Sequence, residues 1–159
     1  MASAATPIDL DRLSLSELRA WRSLARAHAC LVKRLDAQLE AEHGLPLTSY
    51  EVLLRLAESD DGKMRMHDVA TSVLLSRSGL TRLIDRLERD GLVARCSCEN
   101  DARGAYAVIT DTGRSKVAAA RAAHLAGVRA LFVAHYTEAE LDVLGTLLDR
   151  LLPADGCCA

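Results

Sequence analysis

Apolar residues in the middle of the chain follow a helical period twice and a strand period twice, in that order. Leu80, Leu83, Ile84 and Leu87 recur at i, i+3, i+4 and i+7, a stripe that one side of an α-helix buries. On the same helix Ser78, Arg82, Asp85 and Arg89 fall on the opposite, solvent-facing side. Met66, Val69, Ala70 and Val73 give a shorter stripe just before it, and two short helices joined by a brief turn predict a helix-turn-helix. Gly91 supplies a left-handed backbone position to end the second helix. Beyond it Leu92 to Cys96 and Tyr106 to Thr110 read as two strands, with residues 97 to 104 as the turn between them.

Longer helical patterns flank this unit. Leu18, Trp21, Ala25, His28, Val32, Leu35 and Leu39 alternate three and four apart until Gly44 and Pro46 stop the helix. Ser14-x-x-Glu17, Thr48-x-x-Glu51 and Thr137-x-x-Glu140 each match the capping box, in which hydroxyl and carboxylate satisfy each other's backbone donors. The second box predicts a helix from about Ser49 to Glu58. Thr112 and Gly113 open an Ala-rich helix to about His135, and Leu141, Leu144, Leu147, Leu148 and Leu151 stripe a last one up to Pro153. Neither terminal segment finds a partner within so compact a core, so their stripes are expected to pack together and against a second copy of the chain. The fold class is therefore mainly α with a small β-wing. Residues 48–111 form the expected winged helix-turn-helix lobe, and 1–47 with 112–159 the helical dimerisation region.

Composition agrees: half of the residues are hydrophobic and only 3% aromatic, which suits helices better than sheets. A net charge of −2 speaks against a nucleic-acid partner until it is divided along the chain. Residues 1–62 hold 7 basic and 10 acidic side chains, 63–116 hold 10 and 7, and 117–159 hold 3 and 5. Phosphate binding depends on the potential of the contacting surface, so the basic middle is the expected DNA-facing part. Met1 to Ile8 lacks a targeting pattern and no uninterrupted apolar run reaches membrane-spanning length, so a cytoplasmic protein with no membrane partner is expected. Five cysteines, an odd number, stand at 30, 96, 98, 157 and 158, two pairs of them too close in sequence for an ordinary disulfide framework, so reduced thiols are expected.

A short helix with an apolar back and a Ser/Thr/Arg front has the chemistry for a major groove, where arginine reads guanine and hydroxyls reach bases or phosphates. Ser76-Arg77-Ser78-Gly79-Leu80-Thr81-Arg82, Leu87-Glu88-Arg89-Asp90-Gly91-Leu92-Val93, Asp101-Ala102-Arg103-Gly104 and Thr110-Asp111-Thr112-Gly113 together resemble the MarR family of bacterial transcriptional regulators. The resemblance covers about residues 12 to 152. It implies an obligate homodimer with intertwined terminal helices, usually a repressor, often released by small phenolic or lipophilic ligands. On a two-fold dimer the recognition helices would address half-sites roughly 34–36 Å apart, an inverted repeat in double-stranded DNA.

Carried over by position, Ser76 would cap the recognition helix, and Arg77, Ser78, Gly79, Thr81 and Arg82 would face bases and phosphates. Arg86, Arg89 and Arg95 would add backbone contacts. Arg103 would enter the minor groove, aimed by a charge-assisted hydrogen bond that it donates to Asp101. An ordinary solvated face, with Asp85, Glu88 and Asp90 pairing the helix arginines at i, i+3 or i+4, is the plainer alternative. Two positions depart from the family: Met66-His67-Asp68 offers no Ser or Thr cap, and Ala102 replaces an often basic wing residue.

By the same resemblance an effector would lodge between the dimerisation helices and the DNA lobe, drawing on Trp21, Arg22, His28, Tyr50 and Arg55. Cys96-x-Cys98 beside Arg95 and Arg103 offers a redox alternative, since a positive field lowers a thiol pKa. A zinc-responsive variant would draw on Cys30, Glu42 and His43, although thirteen residues separate Cys30 from His43 on one helix. No glycine-rich phosphate loop, His-Glu-x-x-His helix or nucleophile–base set marks an enzyme, and neither cofactor nor metal is expected. A helical adaptor is the rival from another class, but it has no use for the Ser/Arg face and the wing.

Overall fold

The structure, a computed structural model, describes residues 12–98 and 101–152, with the side chains of 97, 98 and 101–104 outside that description. The order is α1 (Leu15–His43), α2 (Leu47–Glu58), β1 (Lys63–Arg65), α3 (Met66–Ser72), α4 (Arg77–Arg89), β2 (Val93–Cys98), β3 (Asp101–Ile109), α5 (Asp111–Leu131), a short 3₁₀ turn (Val133–His135) and α6 (Glu138–Asp149). The three strands form one antiparallel sheet in the order β1-β3-β2.

Two of the three capping boxes form as the sequence predicts, at Ser14/Glu17 and Thr137/Glu140. The third does not. Helix α2 starts at Leu47, behind Pro46, with no side-chain cap of its own. Asp36 on α1 supplies the acceptor instead, taking the Leu47 N–H at 2.8 Å. A distant carboxylate has replaced the local hydroxyl, and it ties the long helix to the start of the DNA lobe. Gly44 (φ +57°) turns the chain between the two helices.

Three further expectations are corrected. A strand, β1, precedes α3 and pairs with β3 through Lys63–Val108, Met64–Ala107 and Arg65–Tyr106, so the sheet has three strands rather than two. The strands of the wing extend to Cys98 and resume at Asp101, leaving a shorter connection than the 97–104 turn. Helix α5 ends at Leu131 and is not continuous to His135.

The core belongs to the middle of the chain. Tyr50, Leu53 and Leu56 of α2, Val69 of α3, Leu80, Ile84 and Leu87 of α4, and Val93, Ala107 and Ile109 of the sheet pack with Val117 and Ala120 of α5. Thr110 joins the lobe to α5. Its hydroxyl donates to the Gly91 carbonyl at 2.7 Å and accepts the Gly113 N–H at 3.0 Å, while its own N–H reaches the Leu92 carbonyl. A side chain at Gly113 would overlap the Leu92 carbonyl, so only glycine fits there.

The terminal helices differ. Among described residues α1 buries only Leu39 and α6 buries none, while Trp21 is 62% exposed and Val143 60%. The segment Asp111–His135 is long and apolar enough to cross a membrane by length and composition alone. It carries Arg114, Arg121 and Arg129 and packs against α1 and α2.

Candidate nucleic-acid interface

Helix α4 presents the predicted face. Ser76 adopts an extended backbone and its hydroxyl accepts the Gly79 N–H at 3.1 Å, capping the helix as expected. Leu80, Leu83, Ile84 and Leu87 are buried behind it. Arg77, Ser78, Thr81 and Arg82 are exposed in front. Thr81 donates its hydroxyl proton to the Arg77 carbonyl, so its oxygen is turned to receive a further donor. Against Gly79 an added Cβ would press the capping Ser76 hydroxyl at 3.1 Å.

The arginines divide by what holds them. Arg95, expected on DNA, turns back from β2 onto α4. One nitrogen meets Asp85 at 2.5 Å, another meets Glu88 at 2.9 Å, and a contact to the Thr81 carbonyl completes the clamp. Its backbone N–H also donates to Glu88. Arg95 is thus a strut that fixes the base of the wing on the recognition helix, and it occupies Asp85 and Glu88, two of the three carboxylates assigned to helix-surface pairs. Arg86 is held too, donating to the buried Ser49 hydroxyl at 2.8 Å. Arg89 donates Nε to the Asp85 carbonyl one turn earlier. Arg77 and Arg82 stand exposed on the front of α4, while Arg86 and Arg89, also exposed, are tethered by these contacts. Asp101 and Arg103 lie on β3, with their side chains outside the described residues.

A turn in an uncommon conformation sets the position of this helix. Leu74, between α3 and α4, has φ +55°, the left-handed region that glycine normally fills, and its side chain is 62% exposed. The Leu74 N–H reaches Thr71 and the Leu75 N–H reaches Ala70, so the carbonyls that close α3 are satisfied in the manner of a left-handed helix end.

Leu74 also walls a cleft of about 280 Å³ with Tyr50, Leu54 and Arg55 of α2 and His124 of α5. The Tyr50 and His124 rings lie 4.7 Å apart at 37°, and His124 Nδ1 is buried without a hydrogen-bond partner. Burial lowers the His124 pKa, so the imidazole is held neutral, and it raises those of Tyr50 and of Glu51 at the same cleft. Of the five residues proposed for an effector, Tyr50 and Arg55 meet here. Trp21, Arg22 and His28 do not line it; all three lie exposed on α1, and the imidazole expected in a buried seam faces outward in the single chain. The sequence gives His124 no signal of its own, since nothing in the run Ala122-Ala123-His124-Leu125-Ala126 sets it apart as a site residue.

Cys96 and Cys30 are exposed free thiols, and Cys98 lies among the side chains outside description. Among the described residues no three His, Cys, Asp or Glu side chains gather as a metal site.

A buried-back helix seated in a helix-turn-helix and followed by a β2–β3 hairpin, with β1 completing a three-stranded sheet, defines the winged helix-turn-helix class. Residues 43–104 match the profile of the MarR family. The chain is 34% identical to AbsC, a MarR family transcriptional regulator from Streptomyces coelicolor, over 88% of this chain and 94% of that one, with a TM-score of 0.83. It is 32% identical to Sco3205, a MarR family regulator of the same organism solved in complex with DNA, over 91% and 96% of the two chains, with a TM-score of 0.84. The homoprotocatechuate degradative operon repressor of Escherichia coli is 32% identical over 105 residues, 66% of this chain and 64% of that protein's length. The chain belongs to the MarR family of transcriptional regulators.

Proposed function

We propose that the protein is a sequence-specific DNA-binding repressor that works in the cytoplasm as a homodimer on an inverted-repeat operator and is released by a small phenolic or lipophilic effector. The observation that carries this is the outward Arg77, Ser78, Thr81 and Arg82 on a helix whose back is fully packed, because such a face is rigid before DNA arrives. Helix α4 occupies the major groove and the wing, through Arg103, the minor groove. The exposed apolar faces of α1 and α6 form the dimerisation region with α5, on either side of the 48–111 lobe. The effector sits in the Tyr50–His124 cleft, with Arg55 at its edge, where it touches α5, α2 and the turn before α4 at once. DNA-complexed Sco3205 and the operon repressor among the similar proteins support the same assignment.

An electrophoretic shift with DNA from upstream of the protein's own gene tests it. Sequence-preferring, salt-sensitive binding is expected, weakened in Arg82→Ala and in Arg103→Ala by about 1–3 kcal/mol each. Absence of such binding by the unaltered protein would overturn the assignment.

A further inference from the structure

The recognition helix has a groove along each flank, and the two differ. On the wing side Thr81 and Asp85 face Arg95, which closes the base of the wing on the helix. On the other side an open groove of about 230 Å³ runs between α4 and the start of α2, lined by Thr48, Leu75, Gly79, Arg82, Leu83 and Arg86. The charged residues that line it are both arginines. Among the described residues no ion pair engages Arg82 or Arg86, so their charges stand uncompensated.

Thr48 has the spacing of a cap with Glu51, but α2 begins at Leu47 and its first amide is met by Asp36. Among the described residues the Thr48 hydroxyl is thereby left without a partner, exposed in the first turn of α2. Arg86 uses one nitrogen on the buried Ser49 hydroxyl, 2.8 Å away. That bond to a neutral group anchors the guanidinium fork while leaving its charge and most of its donors free. An anchored fork has less rotamer freedom to lose when it meets an anion. Arg82 and Arg86 stand one helical turn apart, along the same edge of α4.

A helix about 10–12 Å across fills a major groove about 12 Å wide, so a sugar-phosphate strand passes along each of its flanks. The base of the wing stands on one flank. We propose that Thr48 and Arg86, with Arg82 beside them and Ser49 as the anchor of Arg86, grip the strand on the other. This rests on the DNA-binding assignment and adds to it a contact from outside α4 and the wing. Phosphate contacts fix register without reading bases, so this one acts on every DNA sequence alike. Ser49 is a positioning residue, since its hydroxyl is buried and acts through Arg86.

Fluorescence anisotropy of the full-length protein on two duplexes tests this: one of random sequence and one from upstream of its own gene, each titrated across salt. Arg86→Gln is expected to lower affinity by a similar factor on both and to reduce the slope of log K against log salt by about 0.9, one phosphate contact. Arg86→Lys is expected to keep the slope, which separates a lost charge from a folding defect. Thr48→Val removes a neutral donor, so both duplexes should weaken several-fold with the slope intact. With no partner in the chain to lose, Thr48→Val should also leave the melting temperature of the free protein unchanged. Ser49→Ala, which releases the fork but keeps its charge, is expected to weaken both duplexes by a smaller factor than Arg86→Gln. An unchanged salt slope in Arg86→Gln, under conditions where Arg82→Ala still weakens the upstream duplex, would overturn the proposal. So would a loss confined to the upstream duplex, which would make these residues base readers. A Thr48→Val protein that melts earlier yet binds both duplexes as before would overturn it too, by making the hydroxyl a helix cap. Failure of the unaltered protein to bind either duplex would instead sink the DNA-binding assignment itself.

Discussion

The DNA lobe and the terminal helices are both built from leucine stripes of helical period, yet one is closed and the other open. In α4, thirteen residues bury four apolar side chains. In α1, twenty-nine residues bury one, and in α6 twelve bury none. The same sequence signal has a different meaning according to where the partner resides. Within the lobe the partner is α2, α3 or the sheet of the same chain; for α1 and α6 much of it must come from elsewhere.

Ile84→Ala breaks the closed half most directly. Its side chain is fully buried, and truncation is expected to cost about 2–5 kcal/mol, read as a lower midpoint in urea unfolding. The contrasting change is Val143→Asp with Leu147→Asp on the open face of α6. Sedimentation is expected to show a shift toward monomer, and operator affinity should fall on the order of 100-fold as the linkage of two half-sites is lost. If the double variant stays dimeric, α6 is not part of the interface and the contrast with the lobe fails.

A smaller effect sharpens the picture at the junction of the two regions. Leu74→Gly removes a side chain from a left-handed turn, and the melting curve is expected to show a gain of about 1 kcal/mol. The least is expected from His124→Gln. Burial lowers the pKa of His124 below its ordinary 6.5, so the unfolded chain binds more protons just below that pH. Its contribution to stability is whole above about pH 6.5 and is lost as pH falls toward the folded pKa. Melting temperatures measured between about pH 5 and 8 should therefore fall less steeply on acidification in His124→Gln than in the unaltered protein.

What the sequence disclosed were the features whose cause is local. Ser14 with Glu17, Thr137 with Glu140, Ser76 before α4 and Gly91 after it each act within four residues, and each stands where the pattern put it. What stayed hidden depends on groups brought together by the fold. Thr48 and Glu51 have the spacing of a cap, but Asp36, eleven residues before Leu47, is already in place. Arg95 carries the charge of a DNA contact, but Asp85 and Glu88 reach it first across the wing. Strand β1 has three residues and no period, and it exists because β3 offers it an edge. For the candidate site, the outward face of α4 is legible, while the neutral His124 is not.

Thr110 couples the DNA lobe to α5. One hydroxyl links the carbonyl of Gly91, just past the recognition helix, to the Gly113 amide in the first turn of α5. In the proposed dimer this joint is expected to set the angle of each reading head on its stalk. Point changes along the outer face of α5 should leave the length of the operator unaltered. A single residue inserted after Ile109 would turn the head about its own stalk, and the protein would then search for half-sites at a different phase of the double helix.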